Sequence, residues 1–300
     1  MATTTVIGIA GLGLVGSALA LRLGRAGYAV LGFDVDPARA AVLEETHPGA
    51  ARADLAALAR DGDCLVIAVF DDEQVRALIA SLLTTEVRRV AQVICITTAL
   101  PATLREVGTR CADAGLAFVE APISGSSATI AAGDGRMFVG GAPADIKQAA
   151  TVLDAITVHR KRVGALGQAS AAKLATNLVL GLNRLALAEG MVLAERLGLA
   201  RAEFLDLVLG SAATSRAAKD KGQMMVADRF TPPVATIAQH AKDVGLMLTL
   251  GRETGQGLPL SQRHFELLAQ AMERGDAGLD NAAVIRTLCA LRAPPPGARP

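Results

Sequence analysis

Between residues 4 and 163, short β-branched runs alternate with helical patterns, and after Gly167 the strands stop. That change of rhythm constrains the fold more than any other feature. The runs are "TTVIGIA" (4–10), "YAVLGFD" (28–34), "CLVIAVF" (64–70), "AQVICIT" (91–97), "LAFVEAP" (116–122), "RMFVGG" (136–141) and "ITVHRKRV" (156–163). Several are apolar throughout, as strands of a parallel sheet covered on both faces must be. The helices between them carry start and stop signals. Asp36 and Pro37 supply an N-cap and an N1 proline for 37–46. Gly27 stands just past the pattern 15–26, Pro101 opens 101–113, and Gly115 closes it. Alternating strands and helices predict an α/β domain over 1–164 with a doubly wound sheet.

Beyond that point only helical periods remain: 168–196, 201–210, 213–227, 234–254, 260–273 and 280–291. They predict an all-α domain over 165–292. The last segment, "APPPGARP" (293–300), has too few apolar groups to pack and is expected to be disordered. The helix 168–196 would be ~43 Å long at 1.5 Å per residue. So long a helix predicts an outer end packed against a second chain, in a homodimer or homotetramer built through the C-terminal helices.

Composition narrows the partners. Hydrophobic residues make up 51% of the 300, aromatics 3%, and tryptophan is absent. Thirty basic residues face 29 acidic ones without charge blocks. Neither a nucleic-acid footprint nor a basic membrane face is present. The N-terminal "MATTTVIGIAGLGLVG" lacks the basic start of a signal peptide. The apolar run after Lys173 meets Arg184 after ten uncharged residues, short of the ~20 of a membrane span. A soluble cytoplasmic protein is expected. Cys64, Cys95, Cys111 and Cys289 show no C-x-x-C spacing and read as buried free thiols in a reducing compartment. The four histidines lack metal-ligand spacing, so no metal site is expected.

Four stretches carry chemistry. The first is Gly11-Leu12-Gly13-Leu14-Val15-Gly16, a G-x-G-x-x-G between a strand and a helix. A second strand ends in Asp34, about 20 residues on, as in dinucleotide-binding units. Gly11 allows a tight turn, Gly13 a close approach of the pyrophosphate, and Gly16 close helix–strand packing. The helix N-terminus faces the phosphates, and Asp34 would accept from the ribose hydroxyls. Asp34 would also repel a 2′-phosphate, which favours NAD(H) over NADP(H), although Arg39 is near. Val69 and Phe70, and Thr97 and Thr98, end later strands that should line the same crevice. The threonines read equally well as helix caps.

The second stretch, "VEAPISGSSATIAAGDG" (119–135), offers Ser124, Gly125 and Ser126 as a nest for an anion such as a substrate carboxylate, or as a plain turn. The third places Lys173 and Asn177 four residues apart, on one helix face. On its own such a lysine more often snorkels to water. The fourth, Lys242-Asp243, taken alone reads as a solvated face.

Together, and in this order, the four stretches resemble the β-hydroxyacid dehydrogenase family over roughly residues 5–290. The family's G-L-G-x-M-G is matched by "GLGLVG", with Val15 for methionine. Its D-A-P-V-S-G-G is matched by "EAPISGS" (120–126), with Ser126 for the last glycine. Its G-x-x-G-x-G-x-x-x-K-x-x-x-N is matched by "GALGQASAAKLATN" (164–177), with Gln168 and Ala169 altering the small-residue spacing before Lys173, and its late K-D by Lys242-Asp243. The resemblance implies a Rossmann-type domain followed by a helical one. It implies that Lys173 is the general acid/base and that Asn177 orients the substrate. Ser124 and Gly125 would hold the carboxylate, Lys242 would stand at the cofactor edge, and Thr98 would lie near the nicotinamide ribose.

In that reading, hydride passes between NAD and a small β-hydroxyacid while Lys173 exchanges the hydroxyl proton. A free lysine's pKa of ~10.4 suits this poorly. Burial and a second cation, which the resemblance places at Lys242, would both lower it. Three rivals remain. An imine reductase on the same scaffold usually lacks the lysine. A phosphogluconate-type enzyme would need a longer chain and a basic cluster for phosphate. A dinucleotide-binding protein without turnover would not need Ser124, Lys173 and Asn177.

Overall fold

The computed structural model describes residues 5–291. The expected tail, 293–300, lies outside the described residues. Contacts divide the chain into two compact units, Met1–Leu174 and Ala175–Pro300.

The first unit alternates strands and helices. Its order is β1 (Val6–Ala10), α1 (Leu14–Arg25), β2 (Ala29–Phe33), α2 (Pro37–Thr46), α3 (Leu55–Asp61), β3 (Cys64–Ile67) and α4 (Asp72–Thr84). Then follow β4 (Gln92–Cys95), α5 (Pro101–Asp113), β5 (Ala117–Glu120), β6 (Ile123–Ser124), α6 (Ser127–Ala132), β7 (Arg136–Gly141), α7 (Pro143–Ile156) and β8 (Arg160–Gly164). The sheet runs β2-β1-β3-β4-β5-β7-β6, with β8 paired to β7. From β2 to β5 the pairing is parallel.

The apolar strands are buried on both faces. Ile7, Ile9, Val66 and Ile94 pack into one core with Leu19 and Leu23 of α1. Leu65, Ile67 and Val93 pack into another with Ile79 of α4 and Leu104 of α5. Each such side chain, fully buried, contributes about 1.5–3 kcal/mol. Local signals set the helix ends. Asp36 caps α2 through the Ala38 amide, with Pro37 at the first helical position, and Asp71 caps α4 through Gln74.

Two expectations need correction. The sheet is mixed, because β7 runs antiparallel to both β5 and β6. The run 156–163 is not one strand. Ile156 is fully buried as the last residue of α7, and β8 begins only at Arg160. Between them the Thr157 hydroxyl donates to the Gly135 carbonyl at 2.6 Å and accepts the His159 amide at 3.0 Å. That turn, not continued pairing, occupies 157–159. Three of the cysteines are buried, and burial pushes Cys64 and Cys95 up to about 12 and Cys111 up to about 11. Cys289 is only half-buried.

The second unit is helical. The helix α8 (Gln168–Arg196) enters it and is followed by α9 (Arg201–Leu209), α10 (Arg216–Val226), α11 (Ile237–Glu253), α12 (Pro259–Glu273) and α13 (Val284–Ala290). The pattern 280–291 resolves into a 3₁₀ turn, Asn281–Ala283, ahead of α13. The unit boundary at 174 stands beyond the expected 164, because the first turns of α8 bond into the sheet unit. The amides of Ala169 and Ser170 donate to Glu120, and the Ser170 hydroxyl donates to the Ala99 carbonyl. By length and composition α8 could cross a membrane. Its Lys173 and Arg184, however, are 6% and 4% exposed within the folded chain.

Candidate active site

The glycine loop joins β1 to α1. Gly11 has φ +93°, and a Cβ there would come within 2.5 Å of the Ala68 carbonyl oxygen. A Cβ at Gly16 would collide with the Gly11 carbonyl. Both positions therefore require glycine for packing within the protein. Gly13, the N-cap of α1, differs: the nearest atom to a Cβ there is an Arg39 nitrogen at 3.7 Å. Among the described residues no other atom lies within 4 Å of that position, so the helix N-terminus is left open. Side-chain caps and first-turn acids are absent from α1, so its leading amides keep their positive end of the helix dipole.

Asp34 follows β2 and closes this loop. Its Oδ2 accepts the Leu12 amide at 2.6 Å, and its Oδ1 accepts the Asp36 amide at 2.9 Å. Arg39 reaches both Asp34 and Asp36 at 3.5 Å. A carboxylate offers about four acceptor positions, so capacity remains after these bonds. The Leu12 side chain is buried in the core and its amide is engaged by Asp34. Leu14 is exposed and Val15 half-buried at the start of α1.

The ends of β3 and β4 are tied by Thr97. Its hydroxyl accepts the Val69 amide at 3.0 Å and lies 3.2 Å from the Val69 carbonyl. The Phe70 amide donates to Gln74 at 2.8 Å, while the Phe70 ring is 46% exposed. Neither threonine caps α5: its N-cap is Leu100, whose amide donates to Asp72 at 2.8 Å. Thr98 is half-buried beside it.

The Ser-Gly loop follows β6. Gly125 has φ +146°, a conformation that disfavours any side chain. Ser126 is the N-cap of α6 and accepts the Thr129 amide at 3.1 Å. Its hydroxyl therefore has a structural partner, whereas Ser124 is half-buried at the strand end.

Sequence reasoning passed over Glu120. It is the last residue of β5 and fully buried. Its Oε1 accepts the Ala169 amide at 2.8 Å and its Oε2 the Ser170 amide at 3.2 Å. Burial pushes the carboxyl up, against the backbone donors of Ala169, Ser170 and Gly167. Glu120 thus caps the helix on which Lys173 stands, one turn further on. The available signal was an acid ending an apolar strand.

In the helical unit, the Asn177 amide nitrogen donates to Asp243 Oδ2 at 3.4 Å. Lys242 Nζ pairs with Asp243 Oδ1 at 2.8 Å, the two side chains being 15% and 12% exposed. The Lys242-Asp243 pair is therefore largely buried rather than a solvated face. The Asp243 carboxylate bridges an amide on α8 and an amine on α11. Among the described residues, no group of three His, Cys, Asp or Glu side chains could hold a metal.

Comparison with known proteins matches both halves of the chain. Residues 6–167 match the NAD-binding domain of 6-phosphogluconate dehydrogenase, and residues 167–288 match the NAD-binding family of NADP-dependent 3-hydroxyisobutyrate dehydrogenase. An L-threonate dehydrogenase of Cupriavidus necator is 29% identical, over 96% of this chain and 97% of that protein. A probable 3-hydroxyisobutyrate dehydrogenase of Mycobacterium tuberculosis is 30% identical, over 95% and 98%. The solved structure of Mycobacterium tuberculosis 3-hydroxyisobutyrate dehydrogenase with L-serine superposes with a TM-score of 0.84 at 28% identity, covering 96% of this chain and 100% of that one. An imine reductase from Pseudomonas sp., at 18% identity and a TM-score of 0.64, shares the fold alone. The chain belongs to the β-hydroxyacid dehydrogenase family and is an NAD(P)-dependent oxidoreductase of β-hydroxyacids.

Proposed function

We propose that this chain is an NAD-preferring dehydrogenase of a small β-hydroxyacid, with Lys173 as general acid/base. The observation that carries the reading is Lys173 itself. It is 6% exposed on a helix whose N-terminus is capped by Glu120. Asn177 follows one turn later, held by Asp243. A buried amine one helical turn from a held amide is placed to exchange a proton with a bound hydroxyl.

In this reading Ser124 and the Gly125 amide hold the substrate carboxylate, with Ser126 shaping the loop. Asn177 orients the hydroxyl, and Lys173 takes its proton on oxidation and returns it on reduction. Lys242 stands at the cofactor edge. The loop from Gly11 to Gly16 and the ends at Val69, Phe70 and Thr98 hold the dinucleotide. When bound, the nicotinamide supplies the hydride acceptor. Fixing the acid by two anchors contributes orientation, the entropic part of the rate enhancement. Preference for NAD over NADP rests on Asp34, whose carboxylate would repel a 2′-phosphate.

Substrate identity is proposed from the relatives: the acid is threonate- or 3-hydroxyisobutyrate-like. We also place the enzyme in the cytoplasm as a soluble homodimer or homotetramer, joined through its C-terminal helices. Apolar side chains left open on the second unit support this, with Val179 57%, Leu193 60% and Leu197 73% exposed. Steady-state assay on a panel tests the reading. The panel is 3-hydroxyisobutyrate, 3-hydroxypropionate, glycerate, tartronate semialdehyde, 4-hydroxybutyrate, succinic semialdehyde and threonate. Turnover of at least one panel acid with NAD is expected. No turnover of any, with cofactor bound, would point to the dinucleotide-binding protein without catalysis.

A further inference from the structure

One face of α8 continues past the residues assigned above. Asn177, Gly181 and Arg184 are spaced i, i+4, i+7 and so line up along it. Arg184 is 4% exposed, His240 of α11 is 8% exposed, and His264 of α12 is 1% exposed. The two imidazoles lie with ring centroids 5.0 Å apart. They press against the backbone of α8: a Cβ at position 181 would come within 2.7 Å of His240 Nε2 and 3.1 Å of His264 Cε1. Glycine there is what lets the rings approach.

Among the described residues, the polar atoms of this cluster lack hydrogen-bond partners. Arg184 Nε and Nη2, His240 Nε2 and His264 Nε2 are all buried without a hydrogen bond. Buried polar atoms are paired in the great majority of cases, so four unpaired ones on three side chains, with the Arg184 charge acting on both rings, are placed to hold a ligand. Charge accounting gives its sign. Asp280 is the acid whose field Arg184 feels, but its oxygens are taken. Lys221 Nζ reaches them at 2.8 and 2.7 Å, and the amides of Val234 and Ala282 add 2.9 and 3.0 Å. Asp243 is paired with Lys242. Arg184 is then a buried cation with no salt bridge among the described residues, and an isolated buried charge is costly. Desolvation lowers it only to about 10, so it stays charged at neutral pH.

We propose that Arg184, His240 and His264 form an internal site for one small monovalent anion of halide size. The guanidinium Nε–H and Nη2–H donate to it, and the Nε2–H tautomers of the imidazoles complete the cradle. The anion neutralises the unmatched buried charge and cross-links α8, α11 and α12.

Bromide is the probe. In crystals of the full chain soaked in sodium bromide, an anomalous peak is expected within hydrogen-bond reach of Arg184 and at least one of the two histidines. In solution, the folded-to-unfolded ratio should rise about tenfold for each tenfold increase in bromide above its Kd. Sodium gluconate, an anion too large for the site, holds ionic strength constant. Arg184→Met should abolish that dependence and His264→Gln should weaken it. An ordered water or no density at the site, or equal bromide dependence in wild type and Arg184→Met, overturns the proposal. The crystal result decides alone if Arg184→Met does not fold.

Discussion

Glu120, at the end of β5, accepts the backbone amide of Ala169 in the first turn of α8 at 2.8 Å. One buried carboxylate therefore fixes the helix that carries Lys173. Glu120→Ala leaves the Ala169 and Ser170 amides unpaired, at about 1–3 kcal/mol each. Chemical denaturation should show that loss, and kcat should fall more than cofactor affinity. Unchanged stability would mean that water or another group caps α8.

The three glycines of the loop should respond differently to a methyl group. Gly16→Ala would drive a Cβ into the Gly11 carbonyl and should cost about 3 kcal/mol, the upper range for overpacking. Gly13→Ala meets nothing closer than Arg39 at 3.7 Å, so thermal stability should hold while NADH binding weakens. Equal loss of stability in both variants would contradict a cofactor role for Gly13.

Cofactor choice tests Asp34. NADH should bind about tenfold or more tightly than NADPH, a difference of about 1.4 kcal/mol. Arg39 lies 3.5 Å from Asp34 and is half exposed, so it is the residue that could turn toward a 2′-phosphate. Tighter NADPH binding, lost in Arg39→Ala, would transfer the specificity from Asp34 to Arg39.

Acid should weaken the helical unit through its two buried histidines. Desolvation, with the Arg184 charge second, lowers His264 to about 4 and holds His240 well below the usual range. The unfolded chain takes up these protons near 6.5; folded His264 takes its proton up only near 4, and burial holds folded His240 well below the usual range. The stabilisation is therefore complete above about 6.5 and drains away as pH falls toward 4. For His264 it amounts to roughly 3 kcal/mol. Arg184 and Lys221 are the cations facing these rings, and a bound anion would reduce the effect. Denaturant midpoints from pH 7.5 to 4.5 should fall, less steeply in His264→Gln. A flat profile would mean that both histidines take up protons in the folded chain as readily as in the unfolded one.

Much of this arrangement was legible in the residues. The apolar strand runs and the capped helices gave the α/β unit because both-face burial and caps are local signals. The stop in strand patterns after Gly167 marked the helical unit. The antiparallel placement of β7 was not legible, since strand order depends on contacts distant in sequence. Ile156 looked like the start of a strand because a buried helix end and a buried strand share apolar composition. Glu120 offered only the weak signal of an acid ending an apolar strand, and Arg184, His240 and His264 were unreadable for a related reason: the residues they pack near are distant in sequence. Lys242-Asp243 taken alone resembled a solvated pair, and only the packing of α8 against α11 shows Asn177 bonded to Asp243.

The most direct test is Lys173→Ala, assayed on whichever panel acid the wild-type enzyme turns over. NADH binding by fluorescence titration should be retained within a few-fold. Turnover should fall by about 10²–10⁴-fold, the range of general acid–base catalysis. Near-normal turnover with intact folding would contradict Lys173 as the proton-transfer group.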